Sequence, residues 1–98
     1  MDKFSDRQYV IDVGKPQITG AKQHFWDNLE AKADRSRLNL DAAQNIINSS
    51  RLTLYQADKS AIKFISDDGY TVINVKKEVI TAVPEKIRKK YRDYLEGK

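Results

Sequence analysis

The chain has 98 residues, of which 40% are hydrophobic and 33% are charged, a composition typical of a single charge-rich globular domain spanning 1–98. It contains no cysteine, which excludes disulfides and thiolate metal sites. No apolar run approaches the roughly 20 residues of a membrane-spanning helix, and the first residues lack the apolar segment of a signal peptide, so we expect no membrane partner. Lys and Arg number 18 against 14 Asp and Glu, and the net charge of +4 favours polyanionic partners.

The first third of the chain predicts an extended arm followed by a helix. Residues 8–13 have the composition of a short strand, and the glycine and proline that follow end it, so the arm covers 1–16. Apolar residues then recur at helical spacing and predict a first helix over about 17–33, with Gln17 and Thr19 as alternative N-caps. The apolar stripe of this helix consists of Ile18, Ala21, Phe25 and Leu29.

A second helix is predicted after the polar connection at 34–37. Asn39 is a suitable N-cap, because its side-chain oxygen accepts hydrogen bonds from the first helical amides. The polar residues at 48–50 end the helix. Apolar positions recur with the helical period at Leu40, Ala43, Ile46 and Ile47.

The rest of the chain predicts four strands and a final helix. Polarity alternates with a period of two, and Asp67-Asp68-Gly69 and Lys76-Lys77 mark two of the turns. Pro84 suits the first turn of a C-terminal helix, 84–98. Helices before a run of strands indicate an α+β fold, with N-terminal helices packed on a four-stranded antiparallel meander and a C-terminal helix after it. This helix-helix-meander core covers 17–83, with strands at about 52–56, 61–65, 70–75 and 78–83.

Several well-known catalytic motifs are absent from the sequence. It contains no Gly-rich phosphate loop, no dinucleotide-binding fingerprint and no Gly-x-Ser-x-Gly nucleophile motif. The single histidine lacks the partners of a typical zinc site, and Asp67-Asp68 is better explained as a turn than as a metal site. We therefore expect no cofactor and no metal. Cleavage of RNA by its own 2′-hydroxyl needs neither, since a base, an acid and cations around the phosphate are sufficient.

Three parts of the sequence carry a pattern that occurs in one group of proteins. Residues 21–26 place a Lys/His pair on the first helix, and residues 38–47 begin a helix with a polar cap and an acid. The strands at 61–64, 70–75 and 78–83 include an aromatic-x-Val-x-Asn pattern followed by Glu-Val-Ile-Thr. Over about 17–83, this layout resembles the small ribonuclease toxins of the barnase, EndoU, colicin and RelE-type fold. These include tRNA-cleaving colicins and the toxin domains of contact-dependent inhibition and phage-associated systems.

The resemblance implies a hydrolase, namely a bacterial toxin that cleaves RNA such as tRNA. It also implies a cognate acidic immunity protein or antitoxin as a partner. The chain would then be the C-terminal part of a larger effector, delivered to act in the cytoplasm of a target cell. The basic C-terminal helix departs from the family's core pattern. Arg35 and Arg37 also lie further beyond the histidine than the Arg-rich turn of many relatives.

Four residues are candidates for the catalytic centre. His24 is the only imidazole and titrates near neutral pH, so it is the natural acid or base. Lys63 alternates with apolar neighbours and therefore faces away from the side that they bury, where it is placed to meet a phosphate. Arg35 is suited to clamp a phosphate, and the resemblance implies a hydroxyl role for Thr81. The alternative for each is an ordinary surface, linker or strand residue.

A larger set is predicted to contact the nucleic acid, chiefly through cations of the C-terminal segment. Two other functions fit the same charges. One is a non-catalytic nucleic-acid-binding module that uses the basic C-terminal helix. The other is a protein-interaction domain of a phage or toxin–antitoxin system, in which the charges only confer solubility. The predicted contact residues are Lys22, Arg37, Asn74, Lys86, Arg88, Lys89, Lys90 and Arg92.

Overall fold

The structure is a computed structural model that describes residues 2–5, 7–21 and 40–97. Over these residues it contains seven strands and two helices, which confirms the α+β class. In chain order the elements are β1 (Asp2–Ser5), β2 (Gln8–Val10), β3 (Gly20–Ala21), α1 (Leu40–Asn48), β4 (Leu52–Gln56), β5 (Ala61–Ser66), β6 (Gly69–Asn74), β7 (Glu78–Val83) and α2 (Lys89–Leu95).

All seven strands belong to one mixed sheet, which is larger than the predicted four-stranded meander. The four expected strands, β4 to β7, pair as antiparallel neighbours in chain order. The N-terminal arm adds β1 and β2 beside β4, and β3 pairs in parallel with β7. The order across the sheet is β1-β2-β4-β5-β6-β7-β3. The prediction of a four-stranded, purely antiparallel sheet is therefore wrong, because short segments before α1 extend both of its sides.

The turn between β5 and β6 sets the register of the central strands. Asp67 and Asp68 form this turn, as predicted, and the Ser66 hydroxyl donates to the Gly69 carbonyl at 3.0 Å. Ser66 therefore lies opposite Gly69, and the pairing continues without interruption along both strands. Lys63 is placed opposite Val72 by this register.

The predicted first helix does not begin where its apolar spacing suggests. Thr19 lies in an extended segment before β3, and its amide and hydroxyl donate to the carbonyls of Lys77 and Lys76 at 3.0 and 2.8 Å. Thr19 is thus held by the β6–β7 connection and caps no helix at this point. The rest of the predicted helix, 22–33, and the N-cap Asn39 lie outside the described residues.

The helix α1 covers one face of the sheet, and its predicted position is confirmed. Ala43, Ile46 and Ile47 are its buried residues. The Thr71 hydroxyl donates to the Ala43 carbonyl at 3.1 Å and ties the helix to β6. The core beneath this helix contains Ala43, Ile47, Phe64, Ile73, Val79 and Ala82.

The helix α2 packs on the opposite face and begins later than predicted. Residues 84–88 are not helical, because the Ile87 amide donates to the Asp67 carbonyl at 2.9 Å and Arg88 has extended dihedral angles. The proline at 84 therefore precedes an extended segment, and the prediction of a helix over 84–98 is wrong at its start. Neither helix of the described residues is long and apolar enough to cross a membrane. The second core cluster contains Leu52, Leu54, Ile65 and Tyr91, with Phe4, Val10, Tyr70, Ile87 and Leu95 packed against it.

Candidate active site

Lys63 is the one charged residue among the buried residues that the structure describes. It is 9% exposed and lies in the middle of β5, paired with Leu54 on one side and Val72 on the other. Because successive strand residues point to opposite faces, Lys63 faces α2 while Phe64 packs in the cluster beneath α1. The sequence prediction that Lys63 faces away from its apolar neighbours agrees with this placement. That face is not open, however, because α2 covers part of it.

Two tyrosines hold the Lys63 side chain. Its Nζ donates to the Tyr91 hydroxyl at 3.2 Å, and Tyr91 is only 3% exposed. The same Nζ lies 4.2 Å from the centre of the Tyr70 ring and 5.3 Å from that of the Tyr91 ring. These contacts join β5, β6 and α2 around one amine. The aromatic faces attract a cation, so they partly offset the loss of water around it.

Burial lowers the pKa of the Lys63 amine below its ordinary value of 10.5. The positive charge of Arg88 lowers it further and that of Lys59 adds a smaller effect, whereas the carboxylate of Glu85 raises it. The cation–π contacts with the tyrosine rings act in the same direction as Glu85. Desolvation has the largest effect of these, so the net direction is downward. The neutral amine is therefore more populated near neutral pH than in an exposed lysine.

A small cavity of about 200 Å³ lies beside this amine. Thr81 on β7 reaches it because Lys63, Val72 and Thr81 are successive cross-strand partners and share one face of the sheet. The pairing of β6 with β7 is interrupted next to this point, since Val72 faces Thr81 but Ile73 faces Val79. A bulge of this kind is common beside functional sites, where it re-aims a side chain. The cavity is lined by Gln56, Lys59, Ala61, Lys63, Tyr70, Val72, Ile80 and Thr81.

The predicted cations of the C-terminal segment are all exposed. Arg88 pairs with Glu85 at 2.8 Å, and this hydrogen bond raises the pKa of the Arg88 guanidinium. The Lys90 ammonium lies 5.0 Å from the Tyr91 ring. Lys90 therefore lies next to the buried cluster, because Tyr91 also holds Lys63. Arg88 lies close enough for its charge to act on Lys63. The exposed set is Lys86, Arg88, Lys89, Lys90 and Arg92.

Asn74 has a structural position at the β6–β7 connection. Its Oδ1 accepts from the amides of Lys76 and Glu78, each at 2.9 Å, and its Nδ2 donates to the Glu78 carboxylate at 2.9 Å. The connection has three residues, 75–77, and not the two predicted, because Lys77 adopts a left-handed conformation with φ 67°. The side chain of Asn74 is thus engaged within the turn. Its contact with nucleic acid stays a prediction.

The structure brings together two of the four catalytic candidates. Lys63 and Thr81 line one cavity, and their catalytic roles stay predictions. His24 and Arg35 lie outside the described residues, as do the predicted contact residues Lys22 and Arg37.

Sequence reasoning missed the two tyrosines as parts of the site. Tyr70 is placed by the register of the Asp67-Asp68 turn, which sets it on the same face as Lys63, so alternation along the two strands was a usable signal. The helical spacing of Ile87, Tyr91 and Leu95 predicts that Tyr91 lies on the apolar side of the last helix, and the structure places all three in one apolar cluster. The contact of Tyr91 with Lys63 depends on how α2 docks, and no local pattern in the sequence shows that.

No group of three or more His, Cys, Asp or Glu side chains arranged to hold a metal ion occurs among the residues that the structure describes. Comparison of the chain with protein-family models, with curated proteins and with solved structures found no match.

Proposed function

We propose that the protein is a metal-independent ribonuclease toxin whose centre is the cavity beside Lys63. The observation that carries the proposal is a buried amine, held by two tyrosines, that lines a small cavity together with a hydroxyl side chain from another strand. Buried titratable groups with perturbed pKa values are typical of catalytic sites. The exposed cations on the adjoining segment favour a polyanionic substrate.

In the proposed reaction the 2′-oxygen of RNA attacks the adjacent phosphorus and the 5′-oxygen leaves. The neutral Lys63 amine takes the proton of the 2′-hydroxyl, a role for which its lowered pKa is suited. The Thr81 hydroxyl donates a hydrogen bond to a phosphate oxygen as negative charge develops. His24 returns a proton to the leaving 5′-oxygen and Arg35 clamps the phosphate, both as predicted from the sequence.

The cations of the α2 segment hold the RNA strand and take no part in bond breaking. Because they are exposed, their interaction with phosphates is screened by salt and is spread over several contacts. A cell that makes such an enzyme needs a neutralising partner. We propose an acidic immunity protein or antitoxin that covers the cavity and its basic surroundings, since charge complementarity guides such partners.

The direct test is incubation of the purified protein with total RNA in EDTA, followed by gel electrophoresis. We expect cleavage in EDTA, and we expect Lys63→Met to reduce the rate by about 10²- to 10⁴-fold, the range of a positioned acid–base group. Lys76→Met is the matched control, because Lys76 is exposed in the β6–β7 turn. This substitution removes the same charge at a different place. Equal cleavage by the two variants, with both folded, contradicts the assignment of Lys63.

The second candidate is a nucleic-acid-binding module without catalysis. The observation that favours it is that all five predicted cations of the C-terminal segment are exposed, as a phosphate-binding surface requires. A module of this kind binds RNA in the same preparation but leaves it intact over long incubation. Binding should then weaken by a similar amount for the removal of any one of the five cations, and Lys63→Met should have little effect.

A further inference from the structure

The surroundings of Lys63 combine three features that a carbonyl-binding amine needs. Lys63 is buried but lines the cavity, so a small molecule can approach its side chain. The Tyr91 hydroxyl lies 3.2 Å from Nζ and provides a group that can exchange protons next to it. Two further cations, Lys59 at the cavity wall and Arg88, lie close enough to act on the amine electrostatically.

We propose that the Lys63 amine condenses with an aldehyde that carries a nearby phosphate, forming an imine inside this cavity. Desolvated lysines beside other cations are the ones that form imines with carbonyl compounds, because the neutral amine is the nucleophile. This activity is separate from the proposed ribonuclease reaction, where Lys63 takes a proton and forms no bond to carbon.

The reaction balances without an oxidant, a reductant or a cofactor. The nitrogen lone pair adds to the aldehyde carbon, and the carbonyl oxygen takes up a proton to give a carbinolamine. The nitrogen loses its two protons, one when the carbinolamine forms and one after the hydroxyl has taken up a proton and left as water. The Tyr91 hydroxyl is placed to deliver the proton that the leaving hydroxyl takes up, because it already contacts Nζ. The net change is amine plus aldehyde to imine plus water.

The size and charge of the cavity select the kind of aldehyde. Its volume of about 200 Å³ is below the roughly 300 Å³ at which pockets begin to enclose drug-sized ligands, so it accommodates a group of about the size of one sugar. Lys59 lines the cavity and favours an anion beside the aldehyde. The shared chemistry is therefore an aldehydic sugar phosphate. It can come from an abasic site in a nucleic acid or from a free sugar phosphate.

The background reaction of other lysines is small at neutral pH. An exposed lysine with a pKa near 10.4 is neutral in roughly one molecule in 2,500 at pH 7. The charged and titratable groups around Lys63 are Arg88 and Glu85 before α2, Lys59 in the turn before β5, and the two tyrosines. Their combined effect with burial lowers the pKa of Lys63, so imine formation should be concentrated on this residue.

The experiment traps the imine by reduction with sodium cyanoborohydride at pH 7 and locates the label by peptide mass spectrometry. One arm uses a single-stranded oligonucleotide with one abasic deoxyribose, and the other uses ribose 5-phosphate. We expect Lys63 to be labelled faster than any exposed lysine, because it lines the cavity and its amine lies against the Tyr91 hydroxyl. The arm in which Lys63 is labelled identifies the source of the aldehyde. Labelling by the oligonucleotide alone indicates a nucleic acid, and labelling by ribose 5-phosphate indicates a free sugar phosphate.

Three variants test the position of the label and the delivery of the proton. Lys63→Arg keeps a cation in the cavity but should abolish the specific label, whereas Lys76→Met should leave it unchanged. Thermal unfolding of each variant shows whether it is folded. Tyr91→Phe retains the ring but lacks the hydroxyl that delivers the proton, so it should slow the labelling of Lys63. Label spread evenly over the exposed lysines, with none preferred, overturns the proposal. RNA cleavage measured on the same preparation separates the two proposals. Cleavage without trapping refutes only the proposal of an imine, and trapping without cleavage refutes only the proposal of a ribonuclease.

Discussion

Gly69 is the position where one added methyl group should damage the fold most directly. A Cβ at Gly69 would lie 2.8 Å from the Val83 carbonyl oxygen and 2.9 Å from Ile46 Cδ1, whereas ordinary contact begins at 3.4 Å. The first distance must grow by about 0.6 Å. The Val83 oxygen belongs to the backbone of β7 next to β6, so it cannot move without disturbing the sheet. We expect Gly69→Ala to lower the free energy of unfolding by about 1–3 kcal/mol, the range for overpacked sites.

The measurement is urea denaturation of the wild-type protein and the variant, with thermal unfolding as a second method. For a domain of this size, 1 kcal/mol corresponds to a shift of roughly 4–8 °C in Tm. Gly20→Ala is the matched control, because a Cβ there meets nothing within 4 Å and its φ is not in the left-handed region. Its effect should stay within about 0.5 kcal/mol. A Gly69→Ala protein as stable as Gly20→Ala would refute the reasoning.

The Ile46 contact can be separated from the backbone contact by a double-mutant cycle. Ile46→Val removes Cδ1, and alone it should destabilise the protein by about 0.5–1.5 kcal/mol because Ile46 is buried. In the Gly69→Ala background the same change also removes the 2.9 Å contact, so it should cost less. Additive effects would show that the conflict lies with the Val83 carbonyl and that the Ile46 side chain moves aside.

Three further outcomes follow from the structure. Because burial lowers the pKa of Lys63, the folded protein binds fewer protons than the unfolded chain between that lowered pKa and 10.5. The free energy of unfolding of the wild-type protein, relative to that of Lys63→Met, should therefore rise with pH across that window. A constant difference between the two proteins in urea titrations from pH 7 to 10 would contradict this. Replacing Lys86, Lys89 and Arg92 with Ala should weaken RNA binding and reduce the slope of log affinity against log salt by about two, with turnover at saturation unchanged. Thr71→Val should cost about 1 kcal/mol in urea denaturation, since it removes a buried hydrogen bond to α1 with little change of shape.

Local patterns were sufficient where an element is held by its own neighbours. The apolar spacing of Ala43, Ile46 and Ile47 predicted α1, because a helix of that spacing buries one face whatever lies beneath it. The alternation along the central strands and the Asp67-Asp68 turn predicted the meander for the same reason. These elements depend on contacts that are close in sequence.

Elements held by distant contacts were not predicted. β3 has two residues and forms because Gly20–Ala21 pair with the start of β7, far along the chain, and so short a segment carries no period of its own. Apolar spacing from Ile18 suggested a helix there, but tertiary pairing overrides such a weak preference. The segment before α2 shows the same effect, since the bond from Ile87 to Asp67 holds it extended where Pro84 suggested a helix.

The candidate site combines both kinds of information. Alternation placed Lys63 on its face, since its direction follows from strand position alone, whereas Thr81 was a candidate only through the resemblance and is set on that face by its pairing with Val72. The third member, Tyr91, reaches the site only through the docking of α2, and its hydroxyl was not predictable as a partner of Lys63. The C-terminal segment was assigned to RNA binding from its charges. Its cations are exposed to solvent, whereas its buried Tyr91 packs in the core.

The position of Lys63 is itself an argument for function. Among the described residues no carboxylate forms an ion pair with it, so it is not one half of a structural salt bridge. A methionine has a similar unbranched stem and would fill an apolar position without desolvating a charge, so the amine at this position lowers stability compared with that alternative. β6 and α2 nevertheless provide a hydroxyl and two aromatic faces for it, and β7 supplies a cavity wall. A group that breaks the pattern of a core and is accommodated by several separate elements is typical of a functional site, because local rules of folding are most often broken where chemistry requires it.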